Sequence, residues 1–156
     1  NSSVPKIRAN DLSRFNENAA NSKTEKIKVG WLCKTGLNNT NLQKRWCAIH
    51  DLKLFYFENP RSEEPNGYVN LRGAIVTESK RIPLAFEIQT GALFADRGME
   101  KRVYTFTPVG ADDRMLSRKA MNPNEKEMER RKHKETVKDW INCIQKESAK
   151  AFLPNS

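Results

Sequence analysis

The sequence predicts a mostly β domain in which seven short antiparallel strands are followed by one C-terminal α-helix. Three observations support this prediction. From residue 27 onward, β-branched and aromatic residues occur in short runs that Gly, Pro, Asn and Asp separate. The runs follow one another closely, which favours antiparallel neighbours because parallel strands need long crossover connections. In the last third of the chain, apolar residues instead recur at helical spacing.

The length of 156 residues corresponds to one domain with short extensions. Residues 1–26 are polar and rich in Asn and Ser, and we predict that they form a tail or linker. The domain itself is predicted to span residues 27–152. An irregular stretch at about 108–124 separates the last strand from the helix and is predicted to be an insertion.

The strands are defined by the alternation of side chains between two faces. In the third run, Phe55 and Phe57 lie on one face, whereas Leu54 and Tyr56 lie on the other. The segments "HDLK" and "NPRSEEPNG" supply turns between runs. The predicted strands are 27–34, 42–50, 52–58, 67–71, 73–78, 84–90 and 101–107.

The C-terminal helix is predicted to end near residue 151. The prediction depends on one apolar stripe at helical spacing, which consists of Val137, Trp140, Ile141 and Ile144. The first half, "EKEMERRKHKE", has almost no apolar face. This half therefore either projects into solvent or belongs to the insertion, and His133 within it is expected to be exposed.

The charge of the chain points to an anionic partner. There are 28 Lys and Arg against 19 Asp and Glu, which gives a formal net charge of +9. Both signs are well represented, which is typical of a basic globular protein rather than a polybasic tail. Nucleic acid, an anionic membrane surface and an acidic protein all fit this balance, and net charge alone does not separate them.

Cysteine and histidine usage argues against a metal site. The three cysteines and two histidines show no CxxC or metal-ligand spacing, so we expect neither zinc nor a disulfide framework. Unpaired thiols favour a reducing compartment, which predicts a cytoplasmic protein. Without a Gly-rich phosphate loop, a nucleophile elbow or a histidine pair, we expect no enzyme and no cofactor. No run approaches the roughly 18 apolar residues of a membrane span, so membrane contact is predicted to be peripheral.

Four stretches, taken in order, resemble the pleckstrin homology (PH) domain. "KVGWLCK", "LQKRWCAI" and "LKLFYFEN" are similar to the first three strands of that family, and "DWINCI" is similar to its helix signature. The resemblance covers residues 27–146 and implies a seven-stranded antiparallel barrel or sandwich capped by the helix, whose Trp140 plugs one open end. "EEPNGYVNL" and the excursion before "RVYTF" are loosely similar to the cytohesin type, which prefers highly phosphorylated inositides.

The resemblance implies a phosphoinositide-binding, membrane-targeting module of a larger signalling protein, recruited from the cytoplasm to the membrane periphery. The headgroup of the lipid would lie at the mouth of the first hairpin. Lys34 and Arg45 match the first and last basic positions of the lipid-binding motif of the family. Tyr56 matches a tyrosine that contacts the headgroup from the third strand.

The residues themselves support this site. Several phosphates are best held by converging charge-assisted donors, and Gln43 shares a strand face with Arg45 while Lys44 points the other way. The predicted headgroup contacts are Lys34, Gln43, Arg45 and Tyr56. Further headgroup or membrane contacts are predicted at Asn38, Asn39, Lys44, Asn66, Lys101 and Arg102. Gln43 and Asn66 are neutral where tight binders or cytohesin-type members have a basic residue, which predicts modest affinity or selectivity.

A second hypothesis is a protein-interaction module that docks a small GTPase or a scaffold and binds lipid only weakly and nonspecifically. The partner would contact the insertion and the C-terminal helix. Nucleic-acid binding is disfavoured because the hairpin has no exposed aromatic platform on which single-stranded bases could stack.

Overall fold

The computed structural model describes residues 6–12, 27–35, 42–91, 102–111 and 122–152. Within these ranges, a long helix, α1 (Pro123–Ala149), follows the strands and ends in a 3-10 turn, Lys150–Phe152. The strands are β1 (Val29–Thr35), β2 (Gln43–His50), β3 (Lys53–Phe57), β4 (Gly67–Asn70), β5 (Ile75–Glu78), β6 (Phe86–Thr90) and β7 (Arg102–Pro108).

The seven strands form one antiparallel sheet in the order β4-β3-β2-β1-β7-β6-β5. β1 bonds to both β2 and β7, whereas β4 and β5 form the two edges, so the ladder of hydrogen bonds is not closed. The predicted fold class of seven antiparallel strands and one C-terminal helix is confirmed. Each strand begins and ends within two residues of its prediction.

The main core lies between one face of the sheet and one face of α1. Trp140 and Ile144 of the helix pack against strand residues such as Leu32 and Phe106, and all four are at most 2% exposed. The helix contacts β5, β2 and β7. No helix in the described ranges has the length and apolar character needed to cross a bilayer.

α1 begins earlier than its apolar stripe suggests. The Asn122 side chain accepts a hydrogen bond from the Glu125 backbone N–H at 2.8 Å, and Pro123 occupies the first turn. The segment "EKEMERRKHKE" is therefore helical and mostly exposed. Of the two predicted alternatives, it projects into solvent and does not belong to the insertion. The predicted insertion at about 108–124 is shorter than expected, because Pro108 belongs to β7 and residues 123–124 belong to α1. Its residues 112–121 lie outside the described ranges.

The expectation that His133 is exposed is wrong. Its side chain is buried, with 7% of the residue exposed, and Nε2 lies 3.6 Å from the Glu129 carboxylate. His133 precedes Val137 by four residues and Trp140 by seven, so it continues the buried face by one turn. A polar residue at this apolar position concealed that turn in the sequence.

The turn between β2 and β3 links the sheet to the end of α1. Asp51 and Leu52 have φ values of 52° and 58°, the left-handed conformation of a tight hairpin turn. The Leu52 backbone N–H donates to the Glu147 carboxylate at 3.0 Å. At the same end of the sheet, just before β1 begins, the Lys28 ammonium pairs with Asp139. Both contacts fix the helix over the end of the sheet that lies opposite the mouth of the first hairpin.

A second core covers the outer face of β2 and β3, and its cover comes from the predicted polar tail. Residues 6–12, which we call the N-terminal segment, include a helical turn at 9–12. Ala9 and Leu12 are at most 2% exposed and pack with Phe55 and Phe57. The Ala9 backbone N–H donates to the Ser62 carbonyl at 3.0 Å. These residues are therefore part of the folded structure rather than a free tail.

We expect Leu12→Ala to destabilise the protein by about 2 kcal/mol, the lower end of the range for a buried Leu→Ala change, because a terminal segment can partly close the cavity. The midpoint of urea unfolding measures the loss. Leu42→Ala is the matched control, since Leu42 is 36% exposed and should change stability by less than about 0.5 kcal/mol. Equal midpoints for the two variants would show that the segment does not dock in solution.

Candidate functional site

The first hairpin brings three predicted site residues together. In the β1–β2 pairing, Lys34 lies opposite Gln43 and Leu32 lies opposite Arg45. Direct cross-strand partners project from the same face, and Leu32 is fully buried in the main core. Lys34, Gln43 and Arg45 therefore project from the core-facing side at the end where β1 finishes and β2 begins. This end is the mouth of the hairpin.

Tyr56 joins these residues from β3. It pairs with Cys47, which is fully buried in the main core, so its ring also projects from the core-facing side. The ring is half-buried, and the Lys34 Nζ atom lies 4.8 Å from its centroid. The side chain of Lys34 thus reaches across β2 to a residue of β3, because β2 separates the two strands.

β7 contributes two more side chains on the same side. Arg102 and Tyr104 share a face of β7 with Phe106, because residues two apart on a strand project to the same side. Phe106 is buried in the main core and lies opposite Lys34. The Arg102 guanidinium lies 5.0 Å from the Tyr104 ring centroid. We call the six side chains at the mouth of the hairpin the mouth cluster, which consists of Lys34, Gln43, Arg45, Tyr56, Arg102 and Tyr104.

The electrostatics of the mouth cluster favour an anion. Burial, followed by the charges of Arg102 and Arg45, lowers the pKa of Lys34. Arg102 and Arg45, the two charged neighbours that lower this pKa, are both cations. Among the described residues, no carboxylate lies within ion-pair distance of these three side chains. A phosphate placed between them would relieve their mutual repulsion, because it supplies the missing negative charge.

Burial keeps two other titratable groups at the site, Tyr56 and Cys47, neutral at physiological pH. Burial, followed by the influence of Tyr104, raises the pKa of Tyr56, so its hydroxyl remains a hydrogen-bond donor. Burial also raises the pKa of the Cys47 thiol beneath the cluster. A protonated, buried thiol is a poor nucleophile, so Cys47 acts here as an apolar filler.

Two further predicted contacts, Lys44 and Asn66, are not among the six side chains of the mouth cluster. Lys44 projects from the opposite face of β2, and its Nζ atom lies 4.5 Å from the Trp31 ring centroid. Asn66 is exposed, and its backbone N–H donates to the Tyr56 carbonyl at 2.9 Å. Asn66 also lines an open groove. The charged residues of this groove are three glutamates and one arginine, namely Glu58, Glu63, Glu64 and Arg61. This groove is acidic and does not suit phosphate. The structure thus places the Lys44 side chain away from the cluster, whereas Asn66 adjoins Tyr56 through its backbone and stays a predicted contact.

Three further predicted contacts, Asn38, Asn39 and Lys101, lie outside the described residues. Sequence reasoning missed Tyr104, although a signal was available. The alternation in "RVYTF" places residue 104 on the same face as residues 102 and 106. Extending that alternation from Arg102, a predicted contact, would have added Tyr104 to the predicted headgroup contacts.

The chain has recognisable relatives. A family model described as PH domain matches residues 26–149. Rho GTPase-activating protein 22 from Mus musculus is 28% identical over 120 residues, which make up 77% of this chain and 15% of that protein. The chain therefore spans only a small part of this curated relative.

Solved structures share the fold. The solution structure of the PH domain of human TBC1 domain family member 2 aligns with a TM-score of 0.56 and 17% identity, covering 85% of this chain and 90% of that chain. The PH domain of human oxysterol binding protein-related protein 11 aligns with a TM-score of 0.52 and 18% identity, covering 85% and 91%. At these identities the likeness concerns the arrangement of strands and helix.

Proposed function

Because the chain belongs to the PH domain family, we propose that it is a phosphoinositide-binding module that recruits a larger signalling protein to the membrane. PH domains are modules that bind phosphoinositides or proteins and are generally non-catalytic. The observation that carries the proposal is the mouth cluster, where three cations project from one face without a carboxylate partner among the described residues. In this proposal the protein is cytoplasmic and binds the membrane peripherally.

The cluster suits an inositol headgroup for a physical reason. Such a headgroup carries several phosphates, and each is best held by charged donors fixed on rigid elements. Lys34, Arg45 and Arg102 come from three neighbouring strands, so their positions are set by the hydrogen bonds of the sheet. Arg45 can bind one phosphate through two parallel N–H donors, which a lysine cannot do. We propose that Asn38, Asn39 and Lys101 add contacts from the connections beside the cluster.

A panel of liposomes that each contain one phosphoinositide, measured at physiological salt, tests the proposal. Nonspecific attraction of a basic protein to anionic lipid weakens as salt screens the charges, whereas a bound headgroup keeps its rank order. We expect the most highly phosphorylated lipids to bind best. Equal binding to every anionic lipid, lost on adding salt, would contradict a specific headgroup site.

Gln43 is the one neutral member of the predicted headgroup set on the hairpin, and it offers a gain-of-function test. Because Gln43 lies opposite Lys34 on the core-facing side, Gln43→Lys adds a fourth cation to the cluster. We expect about a three- to tenfold gain in affinity for a soluble inositol tetrakisphosphate, since a charged donor is roughly twice as strong as a neutral one. Calorimetry measures the change.

The neighbouring residue is the matched control for this test. Lys44 projects from the opposite face, so we expect Lys44→Ala to leave affinity for the soluble headgroup within about twofold. The reverse pattern, no gain from Gln43→Lys and a large loss from Lys44→Ala, would mean that the headgroup binds on the other face of the hairpin.

A protein-interaction module is the second candidate, and one observation favours it. The first ten residues of α1 are mostly exposed, and Met128 among them is 70% exposed. An exposed methionine on a projecting charged helix is suited to contact another protein. A Rho GTPase-activating relative makes a small GTPase or a scaffold a reasonable partner. This candidate takes precedence if the liposome panel shows no rank order among the inositides.

A further inference from the structure

The aromatic ring of Tyr56 makes close contacts of its own, one with Lys34 and one with Gly67. The Lys34 ammonium lies over its ring at 4.8 Å from the centroid, within the range of a cation–π contact. On β4, Gly67 is its direct cross-strand partner and is buried. A Cβ atom at Gly67 would lie 2.3 Å from the Tyr56 hydroxyl oxygen and 2.6 Å from Cζ.

These distances show that the phenol end of the ring rests directly on the backbone of Gly67. Atoms separated by less than 3.0 Å cannot both stay in place, so any side chain at position 67 would displace the ring. Covering a strand glycine with an aromatic ring from the next strand is a known way to fix both. The absence of a side chain at Gly67 therefore sets where the ring of Tyr56 lies.

The ring in turn counteracts a repulsion. Lys34 must stay close to Arg45 and Arg102, although both charges lower its pKa and therefore disfavour its ammonium. A lysine side chain is flexible, and in the absence of an attraction it would swing into water away from the other cations. The negative face of the tyrosine ring supplies that attraction without the full charge of a carboxylate, which would compete with phosphate for the ammonium.

From this geometry we infer that Tyr56 and Gly67 are positioning residues of the mouth cluster, with the ring face of Tyr56 holding the Lys34 ammonium ready for a phosphate. The inference rests on the proposed function and deepens it. It assigns the contribution of Tyr56 to its ring rather than to its hydroxyl, and it gives Gly67 a role that depends on having no side chain.

Three variants test the inference by calorimetry with a soluble inositol tetrakisphosphate. Tyr56→Phe keeps the ring, so its affinity should stay within about twofold of the wild type. Tyr56→Leu removes the ring and Gly67→Ala displaces it, so each should weaken binding by about three- to thirtyfold, the range of a cation–π contact. Tyr68→Leu is the matched control, because Tyr68 carries Lys53 over its ring at 5.9 Å on the outer face of the sheet.

A spectroscopic readout separates positioning from loss of structure. In the ligand-free wild type, the side-chain methylene protons of Lys34 next to the ammonium should resonate upfield because they lie over a ring. This shift should persist in Tyr56→Phe and disappear in Tyr56→Leu and Gly67→Ala, while the Lys53 signals stay unchanged. Tyr56→Leu gives the same information as Gly67→Ala if the latter does not fold.

Two results would overturn the inference. Equal losses in Tyr56→Phe and Tyr56→Leu would show that the hydroxyl binds the phosphate, and unchanged Lys34 signals in Tyr56→Leu would show that the ring does not hold the ammonium. Failure of the proposed function looks different. In that case the wild type would not bind the tetrakisphosphate, yet the upfield Lys34 signals would be present.

Discussion

Replacing Trp140 by alanine is expected to lower the free energy of unfolding by about 3 to 5 kcal/mol, the usual range for removing a buried tryptophan or phenylalanine. Trp140 is 2% exposed and is among the largest fully packed side chains of the main core. A domain of this size has only about 5 to 15 kcal/mol of stability, so the loss is a large share of the total. We expect Trp140→Ala to unfold at a much lower urea concentration or to aggregate on expression.

The position of Trp140 explains why the cavity would not close. Its ring packs toward the backbone of Gly30, where an added Cβ atom would lie 3.3 Å from Cζ2. The Lys28 ammonium lies 5.1 Å from the ring centroid and also pairs with Asp139. Sheet and helix are therefore fixed on both sides of the ring, and neither can move freely into the space that it leaves.

Trp31→Ala is the matched control for this prediction. Trp31 is only half-buried on the outer face of β1, where its ring meets Trp46 edge to face at 5.4 Å. Removing it should destabilise the protein by less than half as much. If Trp140→Ala unfolded at the same urea concentration as Trp31→Ala, α1 would not pack on the sheet in solution as described.

Strands, helix and hairpin faces could be predicted because each leaves a periodic signal. Alternation placed Gln43 and Arg45 on one face, and the fixed pairing of antiparallel strands then brought Lys34 beside them. The helix was predictable from four apolar residues at helical spacing. In each case the face that packs against the core leaves a pattern in the local sequence, and the tertiary contacts of that face then stabilise the element.

The N-terminal segment could not be predicted from its own residues, because one helical turn is too short to show a period. A signal was nevertheless present in β3. Phe55 and Phe57 face away from Leu54, so both faces of this strand are apolar. An antiparallel strand that is apolar on both faces needs a cover on each. That cover is provided by Ala9 and Leu12.

The contacts of Tyr56 were beyond sequence reasoning for a different reason. Its partner Gly67 follows from the register of β3 and β4, and this register depends on the length of the connection at residues 58–66. Gly67 reads as a turn glycine in "PNG". Only the pairing shows that its missing side chain leaves space for an aromatic ring.

Arg45→Ala is expected to weaken binding of a soluble inositol tetrakisphosphate by about a hundredfold or more while leaving the fold intact. Losing one partner of a hydrogen-bonded charge pair costs about 2 to 5 kcal/mol, and a factor of one hundred corresponds to about 2.8 kcal/mol. The fold should be preserved because Arg45 is only partly buried, and its guanidinium donates to the Lys44 carbonyl in the same strand at 2.9 Å. Calorimetry measures affinity, and urea unfolding checks stability.

Two further variants sharpen this test. Arg45→Lys keeps the charge but loses the two parallel donors, so its affinity should fall between those of the wild type and Arg45→Ala. Lys44→Ala removes one positive charge from the adjacent position on the opposite face, so any loss that it shows measures the general effect of charge. A specific contact therefore requires Arg45→Ala to lose far more affinity than Lys44→Ala at the same net charge.

The pKa of Lys34 provides a check that needs no ligand. Burial lowers this pKa most, and the charges of Arg102 and Arg45 lower it further, so Arg45→Ala should raise the pKa part of the way toward its ordinary value. Nuclear magnetic resonance of the side-chain nitrogen follows the change. A raised pKa together with unchanged affinity would mean that the two cations are neighbours but that the headgroup binds elsewhere. An unchanged pKa would instead contradict the placement of Arg45 in the mouth cluster, because two cations that project from neighbouring positions influence each other's protonation.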